Sequence, residues 1–204
     1  RMLEEAARVA LALGLQARDG VLWLTIQREE RRNALSHGVL AGMTQAIADA
    51  ANDRSLRAIV LTGTGARAFC AGADLQAAKA FTQDYSEPYG HLAQLLRVTR
   101  ACNVPLVARV NGACMAGGMG LLAMCDLAVA APHAAFGLPE VKVGVFPAQV
   151  LSVLHRLIPP RRLAELCITG EPITSLQALE WGLVNYVDED LDGRCRHNCA
   201  AEPQ

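Results

Sequence analysis

The chain has 204 residues, 52% of them apolar and only 4% aromatic, with 19 Lys and Arg against 20 Asp and Glu for a net charge of −1. That is ample chain for one domain whose core must be aliphatic and alanine-rich. Interspersed, nearly balanced charge argues against nucleic acid or an anionic membrane as a general partner, and no apolar run approaches the length of a membrane span.

The first residues, Arg1-Met2-Leu3-Glu4-Glu5, are acidic where a signal peptide has a basic end followed by apolar residues, so a cytoplasmic protein is expected. Residues 3–13 have helix-like composition. Arg18-Asp19-Gly20 signals a turn, and Val21–Ile26 is rich in β-forming side chains and predicts a strand. Ser36 is placed to cap a helix through Asp49, with Leu40, Met43, Ile47 and Ala50 recurring on its buried face. Ala58–Thr62 is the next strand, followed by the turn Gly63-Thr64-Gly65. Phe81–His91 is polar and interrupted by Pro88 and Gly90, which predicts a mobile loop before a helix from His91 to Thr99. Strands are expected at Pro105–Val110 and Asp126–Ala130. Helices are expected at Val150–Leu157, ended by Pro159-Pro160, and at Arg161–Ile168; Thr174 or Ser175 can cap another. Leu183–Val187 returns to an extended segment. From Asp188 onward no apolar period is evident, so residues 1–187 are expected to form the core and 188–204 an irregular or disordered tail. Strands alternating with helices give an α/β class. Internal repeats are absent from the sequence.

The seven cysteines divide into two groups. Cys70, Cys102, Cys114, Cys125 and Cys167 have apolar neighbours and read as small core residues in a reducing compartment. Cys195 and Cys199, with His197 between them, look like ligands, but no second cluster completes a tetrahedral set and no metal is expected.

Two stretches carry chemistry. Asn111-Gly112-Ala113-Cys114-Met115-Ala116-Gly117-Gly118-Met119-Gly120 lies between a strand-like run and a helix-like one. Strand, glycine turn and helix start offer free backbone N–H groups to an anion, and glycine lets an oxygen approach the main chain. Close helix–strand packing is the better explanation of such a cluster when it stands alone. Ala68-Phe69-Cys70-Ala71-Gly72-Ala73-Asp74-Leu75 likewise ends a strand in small residues. Two such N–H sites converging on one carbonyl oxygen would form an oxyanion hole.

These segments, FCAGADL and NGACMAGGMG, together with Arg32-Asn33-Ala34-Leu35 before them and Phe136-Gly137-Leu138-Pro139-Glu140 after, resemble the enoyl-CoA hydratase/isomerase (crotonase) family. The resemblance implies a spiral of repeated ββα units, assembled as a trimer or a dimer of trimers, with several more C-terminal helices than this chain shows. It implies an acyl-CoA thioester as substrate, coenzyme A being part of that substrate and no further cofactor being needed. An enolate would form on the thioester oxygen, stabilised by the N–H groups of Ala73 and Gly117. Glu140 matches the glutamate that exchanges a proton with a substrate carbon; its apolar flanks would raise its pKa. Arg32, Ala34, Ala71, Asp74, Leu75 and Gly118 match positions around the CoA and acyl groups. Asp74 would order its loop and cap the next helix, and Arg31, Arg32 or Arg67 could meet a phosphate. Many hydratases of the family carry a second glutamate where this chain has Gly120. Met119-Gly120 with Phe146-Pro147-Ala148-Gln149 is similar to a branch acting on branched, isohexenylglutaconyl-type CoA esters. One carboxylate also serves Δ3,Δ2-enoyl-CoA isomerases, and a crippled CoA-ester-binding relative is the non-enzymatic alternative. Serine-hydrolase chemistry is not expected: Ser36 and Ser152 lie in no nucleophile elbow, and the histidines have no paired nucleophile.

Overall fold

A computed structural model describes residues 12–74 and 90–200. Strand β1 (Leu13–Arg18) turns at Asp19-Gly20, both with positive φ as a two-residue type I′ hairpin requires, and pairs antiparallel with β2 (Val21–Ile26). Helix α1 (His37–Ala50) begins where Ser36 Oγ accepts from Val39 N–H at 3.3 Å. Its buried face comprises Val39, Leu40, Met43, Ala46, Ile47 and Ala50, a 3.6-residue stripe.

The middle of the chain repeats one unit, in which a strand enters each of two sheets before a helix follows. β3 (Ala58–Gly63) is succeeded by β4 (Ala68–Cys70), and later by α2 (His91–Ala101). β5 (Leu106–Val110), β6 (Ala113–Met115) and α3 (Gly117–Ala123) follow. Then come β7 (Leu127–Ala130), β8 (Ala135–Gly137), a 3-10 turn Pro139–Val143 and α4 (Ala148–Leu154). The chain continues through α5 (Pro160–Thr169), β9 (Ile173–Thr174), α6 (Ser175–Glu180) and β10 (Tyr186–Val187). Thr174 and Gln177 close a reciprocal capping box at the start of α6.

The first sheet runs β1-β2-β3-β5-β7-β10 and is parallel from β2 onward; the second runs β4-β6-β8-β9 and is parallel except for β9. All six residues of β3 are buried, as a central parallel strand covered on both faces demands. The core is aliphatic: Phe69 and Phe136 are the aromatic members of its largest fully buried side chains, beside Leu24, Ile26, Met43, Ile47, Ile59 and Leu61. This is the ββα architecture that the sequence led us to expect.

The expectation for the end of the chain needs correction. Residues 191–199 are not irregular: Leu191–Cys199 forms helix α7, capped by Asp190, whose side chain accepts from Gly193 N–H at 2.9 Å. Leu191, Cys195 and Cys199 are buried, and α7 packs on β5 and β7. Their i, i+4, i+8 spacing is an apolar stripe once cysteine is counted as a small hydrophobe. The helix-like residues 3–13 and the mobile loop expected at 81–91 fall largely outside the described residues. Among the described residues no helix is long and apolar enough to cross a membrane.

Candidate active site

Strands β4, β6 and β8 are adjacent and parallel, so their C-terminal ends share one edge of the second sheet. From that edge leave Ala71–Asp74, Ala116–Gly118 and Leu138–Glu140, three segments distant in sequence but side by side in space. Open α/β sheets present ligands with this kind of edge.

Residues 32–35 run alongside the first segment as a short parallel ladder. Ala71 N–H donates to Arg32 O (3.0 Å), Leu35 N–H to Gly72 O (2.7 Å) and Asp74 N–H to Leu35 O (2.9 Å). Because N–H groups alternate along an extended segment, Ala73 N–H faces away from Leu35. Gly117 lies close by: a Cβ there would sit 3.1 Å from Leu35 Cδ1, 3.7 Å from Gly72 Cα and 3.8 Å from Ala73 N. Gly117 is the first residue of α3, so its N–H has no partner within the helix. Ala73 and Gly117 are thus neighbours in space.

Close approach is built into both segments. Gly72 has φ +101°, and a Cβ there would lie 2.7 Å from Ala116 Cβ. Ala116 itself is held at φ 50°, ψ −120°, a conformation that costs a non-glycine residue about 1–3 kcal/mol. Its N–H donates to Gly137 O at 3.0 Å, which locks the β6–β8 junction immediately before Gly117. Gly118 is buried against the Cys70 backbone. Burial pushes the Cys70 thiol up to about 12, so it stays neutral and is no nucleophile.

Glu140 follows Pro139 at the start of the 3-10 turn. Its Oε2 is buried without a hydrogen-bond partner. Burial holds the carboxyl above its ordinary range, opposed in part by its own backbone N–H. The Cys167 thiol on α5 is raised by burial and then by the Glu140 charge nearby, which identifies a neighbour the sequence did not suggest. Gly120 is buried in α3, and a Cβ there would meet Val150 Cγ2 at 3.5 Å, an ordinary contact. No side chain stands at Gly120, where the resemblance leads one to expect a second glutamate.

Of the other expected residues, Ala34 is buried and Arg32 is exposed with φ +51°. Asp74 pairs with Arg28 at 2.7 Å; Leu75 lies outside the described residues, as does any helix that Asp74 would cap. Ser36 serves as a helix cap, Ser152 Oγ donates to Gln149 O, and His133 and His155 meet backbone carbonyls. No group of three or more potential metal ligands occurs among the described residues.

Two buried asparagines and an arginine support the site and were not singled out for this from sequence. Asn33, with φ +55°, donates to Ala68 O (2.7 Å) and Thr64 O (3.0 Å) and accepts from Arg28 N–H (3.1 Å). Asn111 donates to Gly65 O (2.7 Å) and also reaches Ala68 O (3.2 Å). Both fix the strand that feeds Ala71–Asp74. The available sequence signal was weak: an asparagine tolerates positive φ and often opens a turn.

Most of the chain is similar to known proteins. Residues 16–198 match a family model described as enoyl-CoA hydratase/isomerase. The chain is 38% identical over 183 residues to the probable enoyl-CoA hydratase echA6 of Mycobacterium tuberculosis, covering 89% of this chain and 73% of that protein. It is 38% identical over 175 residues to the mevalonyl-coenzyme A hydratase sidH of Aspergillus fumigatus, covering 83% of this chain and 63% of that one. A crystal structure of an enoyl-CoA hydratase from Mycobacterium smegmatis superposes with a TM-score of 0.86 at 34% identity, covering 93% of this chain and 75% of that one.

Proposed function

Since the chain belongs to the enoyl-CoA hydratase/isomerase family, we propose that it binds an acyl-CoA thioester and hydrates an enoyl group through an enolate held by Ala73 and Gly117 N–H. The observation that carries this reading is Glu140: its Oε2 is buried without a partner, and its segment leaves β8, the strand next to β6, at the same sheet edge as Gly117 and Ala73. As the water oxygen bonds to Cβ, the π electrons move onto the thioester oxygen, where two preorganised N–H donors stabilise the developing charge. The enolate then collapses and takes a proton at Cα. With glycine at position 120, Glu140 has to serve both transfers, accepting a proton from water and delivering one to Cα. A carboxyl raised toward neutrality suits both roles.

The same vacancy at Gly120 favours a second reading, Δ3,Δ2 isomerisation, in which Glu140 takes a proton from Cα and returns it to Cγ. A branched acyl group belongs in the panel of substrates, in keeping with the name of the Aspergillus relative. Assembly into trimers or hexamers is part of the proposal: Val143, Phe146, Ile168 and Leu176 leave large apolar side chains exposed. All seven cysteines are free, which suits the cytoplasm. The test is mass spectrometry of products from short, long and branched enoyl-CoAs in heavy-oxygen water. Label uptake marks hydration; a moved double bond without label marks isomerisation. Binding without either product over the whole panel would refute enzymatic turnover and leave a CoA-ester-binding protein.

A further inference from the structure

Arg28 precedes the 3-10 turn Glu29–Arg31 and is largely buried, with 17% of its side chain exposed. One guanidinium nitrogen donates to Ala34 O at 2.6 Å; the other donates to Asp74 Oδ2 at 2.7 Å, the Asp74 side chain being 13% exposed. Arg28 N–H donates to Asn33 Oδ1, and Asn33 N–H returns a bond to Arg28 O at 2.8 Å. One side chain thus spans both members of the ladder formed by residues 32–35 and 71–74. The first of these segments carries Arg32 and Ala34, which the resemblance matches to positions around the CoA, and the second carries Ala73; Arg28 and Asp74, which tie them together, stand 46 residues apart in sequence.

We propose that Arg28 is a positioning residue that couples binding of the CoA nucleotide to the placement of Ala73 N–H on the thioester oxygen; this rests on the acyl-CoA reading above. A planar fork reaches two acceptors with fixed relative geometry, whereas an ammonium group is a single point of charge that cannot hold the Ala34 carbonyl and the Asp74 carboxylate in one orientation. Nucleotide contacts made at residues 32–34 are transmitted by the fork to the strand that carries Ala73. Remote binding energy is thereby turned into orientation at the reacting centre.

The experiment compares crotonyl-CoA with crotonyl-pantetheine, which lacks the nucleotide, in the parent, Arg28→Lys and Arg28→Met. It reads kcat for each ester and the infrared carbonyl frequency of each bound 13C-labelled thioester. The parent is expected to turn over the CoA ester faster and to lower its carbonyl frequency more. In both variants that advantage should shrink by about ten- to a hundredfold, with the loss confined to the CoA ester and its carbonyl frequency moving toward the free value. Arg28→Lys retains a charge beside Asp74, so it remains decisive should Arg28→Met fail to fold. Variants that keep the parent's ester ratio and carbonyl frequency overturn the coupling while leaving the proposed reaction intact. Equal losses for both esters also overturn it, since they mark a merely structural role. A parent without turnover that still shows the frequency change, lost in the variants, supports the coupling and removes the reaction. A parent that binds neither ester overturns both.

Discussion

Gly118→Ala adds one methyl group between helix α3 and the end of β4, and the structure gives its cost. A Cβ at Gly118 would overlap Cys70 O and lie 3.0 Å from Cys70 Cβ and 3.1 Å from Cys70 C, where ordinary contact begins near 3.4 Å. Two of those three atoms are backbone, so relief requires a shift of the helix against the strand. Gly117 is on the moving helix and Ala73 is three residues beyond Cys70, so the spacing of the two N–H donors changes with it. Overpacking of this kind costs about 1–3 kcal/mol, offset by up to about 1 kcal/mol from replacing a helical glycine. A donor displaced by on the order of 1 Å lowers turnover by about a hundredfold. The control lies two residues on. Gly120→Ala meets only Val150 Cγ2, at 3.5 Å, and should stabilise the protein by up to about 1 kcal/mol. Urea unfolding and saturated turnover on the same enoyl-CoA measure both effects. If Gly118→Ala matched Gly120→Ala in stability and turnover, close packing would not be what sets the donor spacing.

Three further perturbations probe other parts of the molecule. Asn33→Ala removes the side-chain partner of the Thr64 carbonyl and of Arg28 N–H, leaves Ala68 O to Asn111 alone and puts a Cβ-bearing residue with no polar side chain at φ +55°; about 2–4 kcal/mol of stability should be lost in denaturant titration. Leu191→Ala, 7% exposed in the parent, should cost about 2–4 kcal/mol if α7 is packed as described, against less than about 0.5 kcal/mol for a loose tail. Glu140 has a folded-state pKa raised above its ordinary 4.5, so its contribution to stability is full below that value and is lost as pH rises through the raised one. Glu140→Gln has no such loss, and its stability relative to the parent should climb over that window in unfolding curves taken from about pH 4 to about pH 8.

Much of this molecule is written in local signals. Ser36 announces α1, and Leu40, Met43, Ile47 and Ala50 mark its buried face, because a cap and a 3.6-residue stripe are properties of a few consecutive residues. The glycine-rich segment stood out for the same reason, whereas the role expected of Glu140 and the missing carboxylate at Gly120 came from the resemblance to a known family. Other features depend on contacts between distant residues. Arg28 and Asp74 meet across 46 positions, and nothing about either alone predicts the pair. Asn33 and Asn111 converge on one carbonyl, Ala68, only once two strands are in register. Helix α7 was missed for a different reason: its stripe is one leucine and two cysteines among charged residues, and cysteine read as a ligand hides the period. The strain at Ala116 could not be read either, since alanine ordinarily announces a helix rather than a positive φ.

The central claim is that one carboxyl group, Glu140, moves the proton while backbone donors hold the enolate. Steady-state kinetics and calorimetric CoA-ester binding of Glu140→Gln test it most directly. The amide keeps the shape of the carboxyl but cannot exchange a proton at neutral pH, while Ala73 and Gly117 remain in place. Unchanged binding is expected, with turnover lowered by about two to four powers of ten; turnover equal to that of the parent on the same enoyl-CoA would contradict the claim.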